Sequence, residues 1–362
     1  MFRAPRGMIR AATGAEVAPA LAAAEAALAA GHWVAGHLAY EAGLALEPRL
    51  EPLLARHAAE GPLVQLAVFD GPAPAAEARA ALDATGPASL TPPVPSVTEA
   101  DHAAALARVL DWIAAGDIYQ ANLTFPLTAT ATGTPAALFA RLLARQRVDH
   151  AALVDLPGSP AILSLSPELF FDTDGQGGIA VRPMKGTRPR AADPAEDAAL
   201  AADLRGSVKD RAENLMIVDL MRNDLSRICD VGSVRVPALF RVESYATLHQ
   251  MVSEVRGRLL PGTGLAAIFR ALFPCGSITG APKIRAMQII DALEPRSRGA
   301  YCGSIGWAAP DGRARFNVAI RTLTLARDGS VRLNAGGGIV ADSTAASEWQ
   351  EALWKTRFAT LA

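Results

Sequence analysis

The order of the predicted helices and strands is the feature of this sequence that most constrains its fold. Long helical patterns alternate with groups of strands instead of with single strands. One helical pattern opens at Thr98 and ends at Gly116, and a longer one runs from about residue 193 to residue 228 with a break near Gly206. Strict strand–helix units would predict a doubly wound parallel sheet. The grouped order predicts a mixed α+β fold.

A proline-rich stretch divides the chain into two unequal parts. Residues 86–96 include Thr-Pro-Pro-Val-Pro at positions 91–95, which cannot continue a helix. At 362 residues the chain is long for one compact core and suits one large intertwined unit or two domains. We therefore place a boundary after residue 95.

The composition is typical of a soluble globular protein, with 51% hydrophobic residues and a net charge of −1. This charge gives no reason to expect nucleic acid or an anionic membrane as a partner. The alanine-rich stretch from Ala18 to Ala30 is interrupted by Glu25 and is too short to span a bilayer, so it predicts a soluble helix. The first ten residues lack the apolar core of a secretory signal, which makes the cytoplasm the expected location.

The three cysteines, Cys229, Cys275 and Cys302, are widely spaced and include no Cys-x-x-Cys pair. This spacing argues against a zinc site or a disulfide framework and predicts reduced, structural thiols. None of them has the tight glycine turn and histidine partner that the nucleophile of a glutamine-hydrolysing domain needs. Any ammonia that the protein uses must therefore come from elsewhere.

Lys185 is unusual because the chain almost avoids lysine. Four lysines stand against 31 arginines, and the first 180 residues contain ten arginines and no lysine. An arginine stays protonated, whereas a lysine can lose its proton and act as a nucleophile. Lys185 is therefore either such a nucleophile or an ordinary charge on a solvated loop.

Two glutamates are candidate ligands of a hard cation. One predicted helix places Glu213 at the head of a mostly apolar face, where an unpaired carboxylate is costly; the alternative is an exposed pair with Lys209. Glu348 falls one turn inside a helix predicted from about Thr344. Two glutamates without a His or Cys cluster suit Mg²⁺.

Two glycine-rich segments are predicted to be turns that lead into helices. Residues 336–338 are a triple glycine, and Asp342 or Ser343 is the predicted cap of the helix that follows. The backbone amides of such a turn can bind an anion; the alternative is a tight turn with no ligand. In the second segment, residues 273–283, Thr279 either helps to hold an oxyanion or belongs to a plain helix cap. The Gly-Lys-Ser/Thr of a nucleotide P-loop is missing from the triple-glycine turn, which disfavours ATP.

Glu168 directly follows a predicted strand and lies next to aromatic residues. Burial there would raise its pKa towards the range of a general acid. The alternative is an ordinary loop glutamate.

Five motifs, taken in order along the chain, resemble those of the chorismate-utilising enzymes. They are Ser-Pro-Glu at 166–168, Pro-Met-Lys-Gly-Thr-Arg-Pro-Arg at 183–190, Lys-Asp-Arg-Ala-Glu-Asn at 209–214, Gly-Ser-Ile-Thr-Gly-Ala-Pro-Lys at 276–283 and the glycines at 336–338. This family includes anthranilate synthase component I, aminodeoxychorismate synthase component I, isochorismate synthase and salicylate synthase. The resemblance implies a large two-layered α/β sandwich of antiparallel sheets flanked by helices. Residues 96–362 would be the chorismate-binding catalytic domain, with residues 1–95 intertwined with its core.

The resemblance also implies roles for individual residues. Glu213 and Glu348 would bind Mg²⁺, which in this family binds the ring carboxylate of chorismate. Glu168 would be the general acid that assists departure of the hydroxyl on ring carbon 4, and His249 matches a histidine near the reacting ring. The residues implied in substrate binding are Thr187, Gly276, Thr279, Tyr301, Arg321, Gly336, Gly337, Gly338 and Lys355.

Gln120 and Lys185 distinguish the branches of the family. Isochorismate and salicylate synthases carry a water-activating lysine where Gln120 stands, and glutamine cannot act as a general base. Where Lys185 stands, anthranilate synthases usually carry alanine and aminodeoxychorismate synthases carry lysine. The resemblance therefore implies that the Lys185 amine attacks ring carbon 2 and that ammonia then enters at carbon 4. This attack requires a neutral amine. The nearby positive charges of Arg182 and Arg188 would favour the neutral form of Lys185.

The implied product is 4-amino-4-deoxychorismate, with a glutamine amidotransferase subunit, component II, as the source of ammonia. Two alternatives are an anthranilate synthase component I and a catalytically silent chorismate-binding subunit.

Overall fold

Two antiparallel sheets form the framework of the protein. The computed structural model describes residues 1–56, 61–245 and 248–361. The strands in this part of the chain are β1 (Gly7–Ala11), β2 (Trp33–Leu38), β3 (Val64–Phe69), β4 (Ser89–Leu90), β5 (Val94–Pro95), β6 (Gln120–Thr132), β7 (His150–Val154), β8 (Ala161–Ser166), β9 (Leu169–Asp174), β10 (Gly178–Arg182), β11 (Met184–Pro189), β12 (Arg235–Ser244), β13 (Leu248–Arg258), β14 (Gly280–Ala281), β15 (Ser304–Ala308), β16 (Arg313–Asn317), β17 (Thr322–Leu325) and β18 (Ser330–Ile339).

Within the described part of the chain, the first sheet has ten strands and the second has eight. The first follows the order β1-β3-β2-β15-β16-β9-β10-β13-β11, with β12 also paired to β13. The second follows the order β14-β6-β18-β17-β8-β7, with β4 and β5 also paired to β6. Neighbouring strands pair antiparallel in both sheets, as in β10–β13 and β6–β18.

Helices cover both sheets. They are α1 (Gly14–Ala29), α2 (Ala42–Leu46), α3 (Ala75–Asp83), α4 (Glu99–Ala114), α5 (Pro135–Arg145), α6 (Pro194–Gly206), α7 (Val208–Ser226), α8 (Leu265–Leu272), α9 (Lys283–Leu293) and α10 (Ala345–Lys355). Helices α1, α6 and α7 pack on the first sheet, and α4, α5, α9 and α10 pack on the second. No helix among the described residues is both long and apolar enough to cross a membrane.

Apolar side chains join the two sheets into one sandwich. Ile162 of β8 and Ile305 of β15 are buried in one cluster together with Ala300 and Ala319. Larger cores lie under the helices of each sheet. The α+β prediction and the implied sandwich of antiparallel sheets flanked by helices are both confirmed.

The N-terminal strands belong to the same sheet as much later strands. β2 pairs with β15 along its length, with Gly36 opposite Gly306. The division of the chain after residue 95 stays a prediction, because a shared sheet does not define where a domain ends.

The helical predictions agree closely with the structure. Thr98 caps α4 by accepting a hydrogen bond from the backbone N–H of Asp101. The long pattern from residue 193 is two helices, because Ser207 ends α6 and caps α7.

The predicted turn at the triple glycine is wrong, because all three glycines lie inside β18. The helix that follows is capped by Thr344 and not by Asp342 or Ser343. Glycine is common in turns, but it also occurs in a strand that another backbone or a ligand must approach closely. The sequence pattern does not distinguish these two uses.

Residues 316–325 include parts of two strands that belong to different sheets. β16 ends at Asn317 in the first sheet, and β17 begins at Thr322 in the second. Arg321, at the crossing, has a φ of 50°, a left-handed conformation that is uncommon for a residue other than glycine. The crossing brings Arg321 to the space between the sheets.

Candidate active site

A cavity of about 540 Å³ is lined by residues of β11, α7, β18 and α10. Its size is in the ordinary range for a small-molecule site. Eleven of the residues implied in catalysis, substrate binding or metal binding line it: Glu168, Lys185, Thr187, Glu213, Tyr301, Arg321, Gly336, Gly337, Gly338, Glu348 and Lys355.

Gly276 and Thr279 do not line the cavity but build the turn beside it. The Thr279 hydroxyl donates to the backbone oxygens of Cys275 and Gly276, which closes the turn on itself. A Cβ on Gly276 would lie 2.5 Å from side-chain atoms of Leu220. Ser277 and Ile278, the two residues between them, do line the cavity. The motif therefore includes a residue that faces the cavity and residues that only shape the turn.

Gln120 lies directly behind Gly338. Its side chain is fully buried, and neither its amide nitrogen nor its amide oxygen has a hydrogen-bond partner among the described residues. A Cβ on Gly338 would lie 2.7 Å from Gln120 Nε2 and 3.2 Å from Lys185 Nζ. Unpaired buried polar groups are costly, and in native proteins they call for a specific explanation. Here the Gln120 amide lies beside Gly338, and the Lys185 amine lies beside the same glycine.

His249 lies outside the cavity lining. Its Nδ1 lies 2.8 Å from the Ser244 hydroxyl, and its Nε2 lies 3.0 Å from Asp197 Oδ1. Its side chain is buried under α6, on which Asp197 is held by Arg190. Both ring nitrogens are thus engaged with protein groups.

The three glycines of β18 are needed for different reasons. A Cβ on Gly336 would collide with the backbone oxygen of Leu123 on β6. A Cβ on Gly337 would lie 3.2 Å from Glu348 Oε2 and 3.3 Å from Lys355 Nζ. Gly336 therefore permits the sheet to form, and Gly337 leaves room for the charged groups of α10.

We expect Gly336→Ala to affect the stability of the protein and Gly338→Ala to affect its activity. Gly336→Ala should destabilise the protein, because rigid backbone cannot yield to the new methyl group. Gly338→Ala should keep a near-normal melting temperature but lose activity, because the methyl group displaces the side chains of Gln120 and Lys185. Thermal unfolding and steady-state rates of both variants test this. A Gly338→Ala enzyme with wild-type turnover would contradict it.

Glu168 has the environment of a general acid. It is 4% exposed, and burial raises its pKa to about 7. The Ser277 hydroxyl, the charge of Lys185 and the charge of Arg321 oppose this rise. The carboxyl group is consequently close to half-protonated at neutral pH, which suits a proton donor.

Carboxylates and lysines of α7 and α10 together form a carboxylate wall of the cavity. Burial raises the pKa of both Glu213 and Glu348, and the nearby Glu351 raises them further. Lys355 Nζ lies 2.7 Å from Glu351 Oε1 and donates to the backbone oxygen of Gly336. Ser343 donates a 2.7 Å hydrogen bond to Glu348 Oε1. The wall is therefore rich in oxygen ligands in a desolvated setting.

Glu351 is a site residue that the sequence reasoning missed. It lies three residues after Glu348 and four before Lys355, so all three share one face of α10. Helical spacing around Glu348 was the signal that could have found it.

The positive charge expected beside Lys185 is balanced by other groups. Arg182 Nη2 lies 2.6 Å from Glu243 Oε1, and Arg188 is paired with Asp203 and Asp210. Neither arginine supplies a free positive charge to the lysine. The expectation that they promote a neutral amine is therefore not supported by these contacts.

Comparison with known proteins places this chain in a family. Residues 8–360 match the family described as chorismate binding enzyme. The chain belongs to this family. It is 50% identical over 244 residues to aminodeoxychorismate synthase component 1 of Klebsiella aerogenes, covering 67% of this chain and 53% of that protein. It is 43% identical over 262 residues to anthranilate synthase component 1 of Streptomyces coelicolor, covering 72% of this chain and 51% of that protein.

The fold comparison agrees with the family assignment. The crystal structure of anthranilate synthase component I from Streptococcus pneumoniae superimposes with a TM-score of 0.74 at 26% identity, covering 91% of this chain and 80% of that one. The chain spans about half the length of the two curated relatives named above.

The carboxylate wall fits the Mg²⁺ that the family implies. Glu213 and Glu348 face one cavity, and the desolvation of both favours the arrival of a cation. Among the described residues no three His, Cys, Asp or Glu side chains form a ready-made metal cluster. Mg²⁺ does not need one, because it commonly binds through one or two carboxylates and keeps several waters. These two glutamates are the residues that would hold it.

Proposed function

We propose that this chain is an aminodeoxychorismate synthase component I, which converts chorismate and ammonia to 4-amino-4-deoxychorismate for the synthesis of p-aminobenzoate and folate. The observation that best supports this function is the position of Lys185, whose amine shares one cavity with Glu168 and Glu213. The identity of 50% to a relative of that name supports the same reaction.

Two sets of residues in the cavity suit the two carboxylates of chorismate. Mg²⁺ bound by Glu213 and Glu348 would neutralise the ring carboxylate. Arg321, the cation beside Glu168, would pair with the other carboxylate, together with Tyr301 and backbone amides of residues 336–338. Thr187 and Lys355 line the same space and would complete the polar lining.

The chemistry proceeds by two displacements. The neutral amine of Lys185 forms a bond to ring carbon 2, the two ring double bonds shift, and the bond from carbon 4 to its hydroxyl breaks. Glu168 donates its proton to the departing hydroxyl, which leaves as water. Ammonia then forms a bond to carbon 4, the double bonds shift back, and the lysine leaves carbon 2 as a neutral amine. The proton that the new nitrogen on carbon 4 gives up restores the acid form of Glu168.

The ammonia would come from a glutamine amidotransferase subunit, component II. The relative from Klebsiella aerogenes is itself called component 1, which supports a partner subunit. A cytoplasmic location is the setting that we propose for such a complex.

Anthranilate synthase component I is the second candidate, because a relative of that name is 43% identical to this chain. In that reaction ammonia enters at carbon 2, and pyruvate is expelled. Lys185 favours the first candidate, since an alanine is usual at this position in the second.

Product analysis separates the two reactions. The metal-loaded chain is incubated with chorismate and ammonium, and the products are analysed by mass spectrometry, with and without a lyase that converts 4-amino-4-deoxychorismate to p-aminobenzoate. We expect p-aminobenzoate only when the lyase is present. Anthranilate with stoichiometric pyruvate would establish the second candidate instead.

We expect Glu213→Gln and Glu348→Gln to raise the Mg²⁺ concentration needed for half-maximal turnover, by roughly 10-fold or more, because a neutral amide is a poor ligand for this cation. Glu77→Gln, an exposed residue of α3, is the matched control and should leave the titration unchanged. A wild-type Mg²⁺ titration in both site variants would refute the metal assignment.

A further inference from the structure

Lys185 lies in a bulge of an edge strand. β11 is the last strand of its sheet and takes β13 as its neighbour. Met184 pairs with Val252 and Thr187 pairs with Gln250, so Lys185 and Gly186 together lie opposite one residue of β13. A bulge redirects side chains and interrupts the regular ladder of backbone hydrogen bonds. Other contacts must therefore hold the lysine in place.

Gln250 holds the bulge from the side of β13. Its Nε2 donates a 2.7 Å hydrogen bond to the backbone oxygen of Gly186, and its Oε1 accepts one from the Thr187 hydroxyl at 3.1 Å. The Gln250 side chain is 6% exposed and lines the cavity. This contact fixes one side of the strand only.

Arg188 holds β11 from the side of the helices. Its Nε donates to Asp203 Oδ2 at 2.6 Å, and its Nη2 donates to Asp210 Oδ2 at 3.1 Å. Its Nη1 donates to the backbone oxygen of Thr187 at 3.0 Å. Asp203 lies near the end of α6 and Asp210 lies in the first turn of α7, so one guanidinium joins the strand to both helices.

Gly186 allows β11 to lie close to Asp210 of α7. Its φ is +76°, and a Cβ at this position would lie 2.8 Å from the carboxylate of Asp210. Both the backbone conformation and the space therefore require glycine next to the lysine. The bulge and the first turn of α7 are fitted against each other.

The first turn of α7 also determines where Glu213 lies. Asp210 donates its backbone N–H to the capping Ser207 hydroxyl, and Glu213 follows three residues later on the same side of the helix. Lys185 is close enough to Glu213 for its charge to lower the pKa of that carboxyl. A displacement of Asp210 relative to β11 would therefore change the spacing of Lys185 and Glu213.

We propose that Arg188 is a positioning residue, which sets the separation between Lys185 and Glu213 by bridging the bulge of β11 to Asp203 and Asp210. This inference rests on the proposed function for the identities of the nucleophile and the metal ligand. Arg188 acts through the two helices and does not itself react.

Equilibrium binding of Mg²⁺ to the intact chain tests this role without any turnover. Calorimetric titration with MgCl₂ alone compares the wild type with Arg188→Met, Arg188→Lys and Asp210→Asn. Arg190→Met is the matched control, because Arg190 is on the same segment and binds Asp197 of α6 but does not line the cavity. We expect Arg188→Met to weaken Mg²⁺ binding by roughly 10- to 100-fold, as does loss of a group that orients a metal ligand.

The conservative variant and the double variant distinguish positioning from general stability. Arg188→Lys reaches one carboxylate at a time and should recover part of the affinity, and adding Asp210→Asn to Arg188→Met should cost little more. Melting temperatures confirm that each variant is folded. Equal Mg²⁺ affinity in the wild type, Arg188→Met and Asp210→Asn would overturn the proposal. Because no chorismate is present, this outcome is independent of which product the enzyme makes.

Discussion

Lys185→Ala is expected to lower the rate of 4-amino-4-deoxychorismate formation by roughly 10⁴-fold or more, the scale seen when an enzyme loses its covalent nucleophile. The methyl group of alanine cannot attack carbon 2, so the first of the two displacements is lost. In this variant, direct attack of ammonia on carbon 2 would give a different amine. Chromatography with mass detection measures both products.

Lys185→Arg is the control that separates charge from nucleophilicity. It keeps a cation near Glu168 and Glu213, but its guanidinium stays protonated. We expect this variant to be as inactive as the alanine variant. If it retained turnover while Lys185→Ala lost it, the lysine would serve as a charge and not as a nucleophile.

Glu168→Gln is expected to lower kcat by about 10²- to 10⁴-fold, the usual contribution of a general acid. Glutamine preserves the shape of the side chain but has no acidic proton for the departing hydroxyl. Because the mutation affects a step after binding, the KM for chorismate should change much less than kcat. Steady-state kinetics at saturating Mg²⁺ give both constants, and an unchanged kcat would remove Glu168 from the mechanism.

The same residue predicts a pH dependence. The pKa of Glu168 is raised to about 7, so the acid form predominates below this pH and is lost above it. At a constant concentration of free ammonia, kcat/KM should therefore fall as the pH rises through about 7. This falling limb should be absent from Glu168→Gln. A falling limb that persists in the variant would belong to a different group.

The sequence alone predicted the helices but could not predict the order of the strands in the sheets. The cap at Thr98 and the break between α6 and α7 depend on neighbouring residues and could be predicted. The pairing of β2 with β15 joins residues far apart in the chain, and nothing in either strand specifies the partner. The glycines of β18 were assigned to a turn because only the paired strand β6 shows why side chains are excluded there.

The site followed a similar pattern. The motifs led to Lys185, Glu168 and Glu213, and the helix predicted from about Thr344 led to Glu348. All four residues line one cavity. The motifs also included Thr279, whose hydroxyl donates a hydrogen bond within its own turn. A motif does not distinguish the residues that contact a ligand from those that shape the loop. Glu351 was overlooked, although its helical spacing from Glu348 was visible.

Mass spectrometry of the protein itself tests the central claim most directly. The chain is mixed with Mg²⁺ and chorismate in the absence of ammonia, quenched, digested and sequenced by fragmentation. We predict an adduct on Lys185 with the mass of one chorismate less one water, which disappears when ammonium is added before the quench. Rapid formation of 4-amino-4-deoxychorismate by an enzyme in which Lys185 never carries this adduct, at any time sampled, would contradict the account.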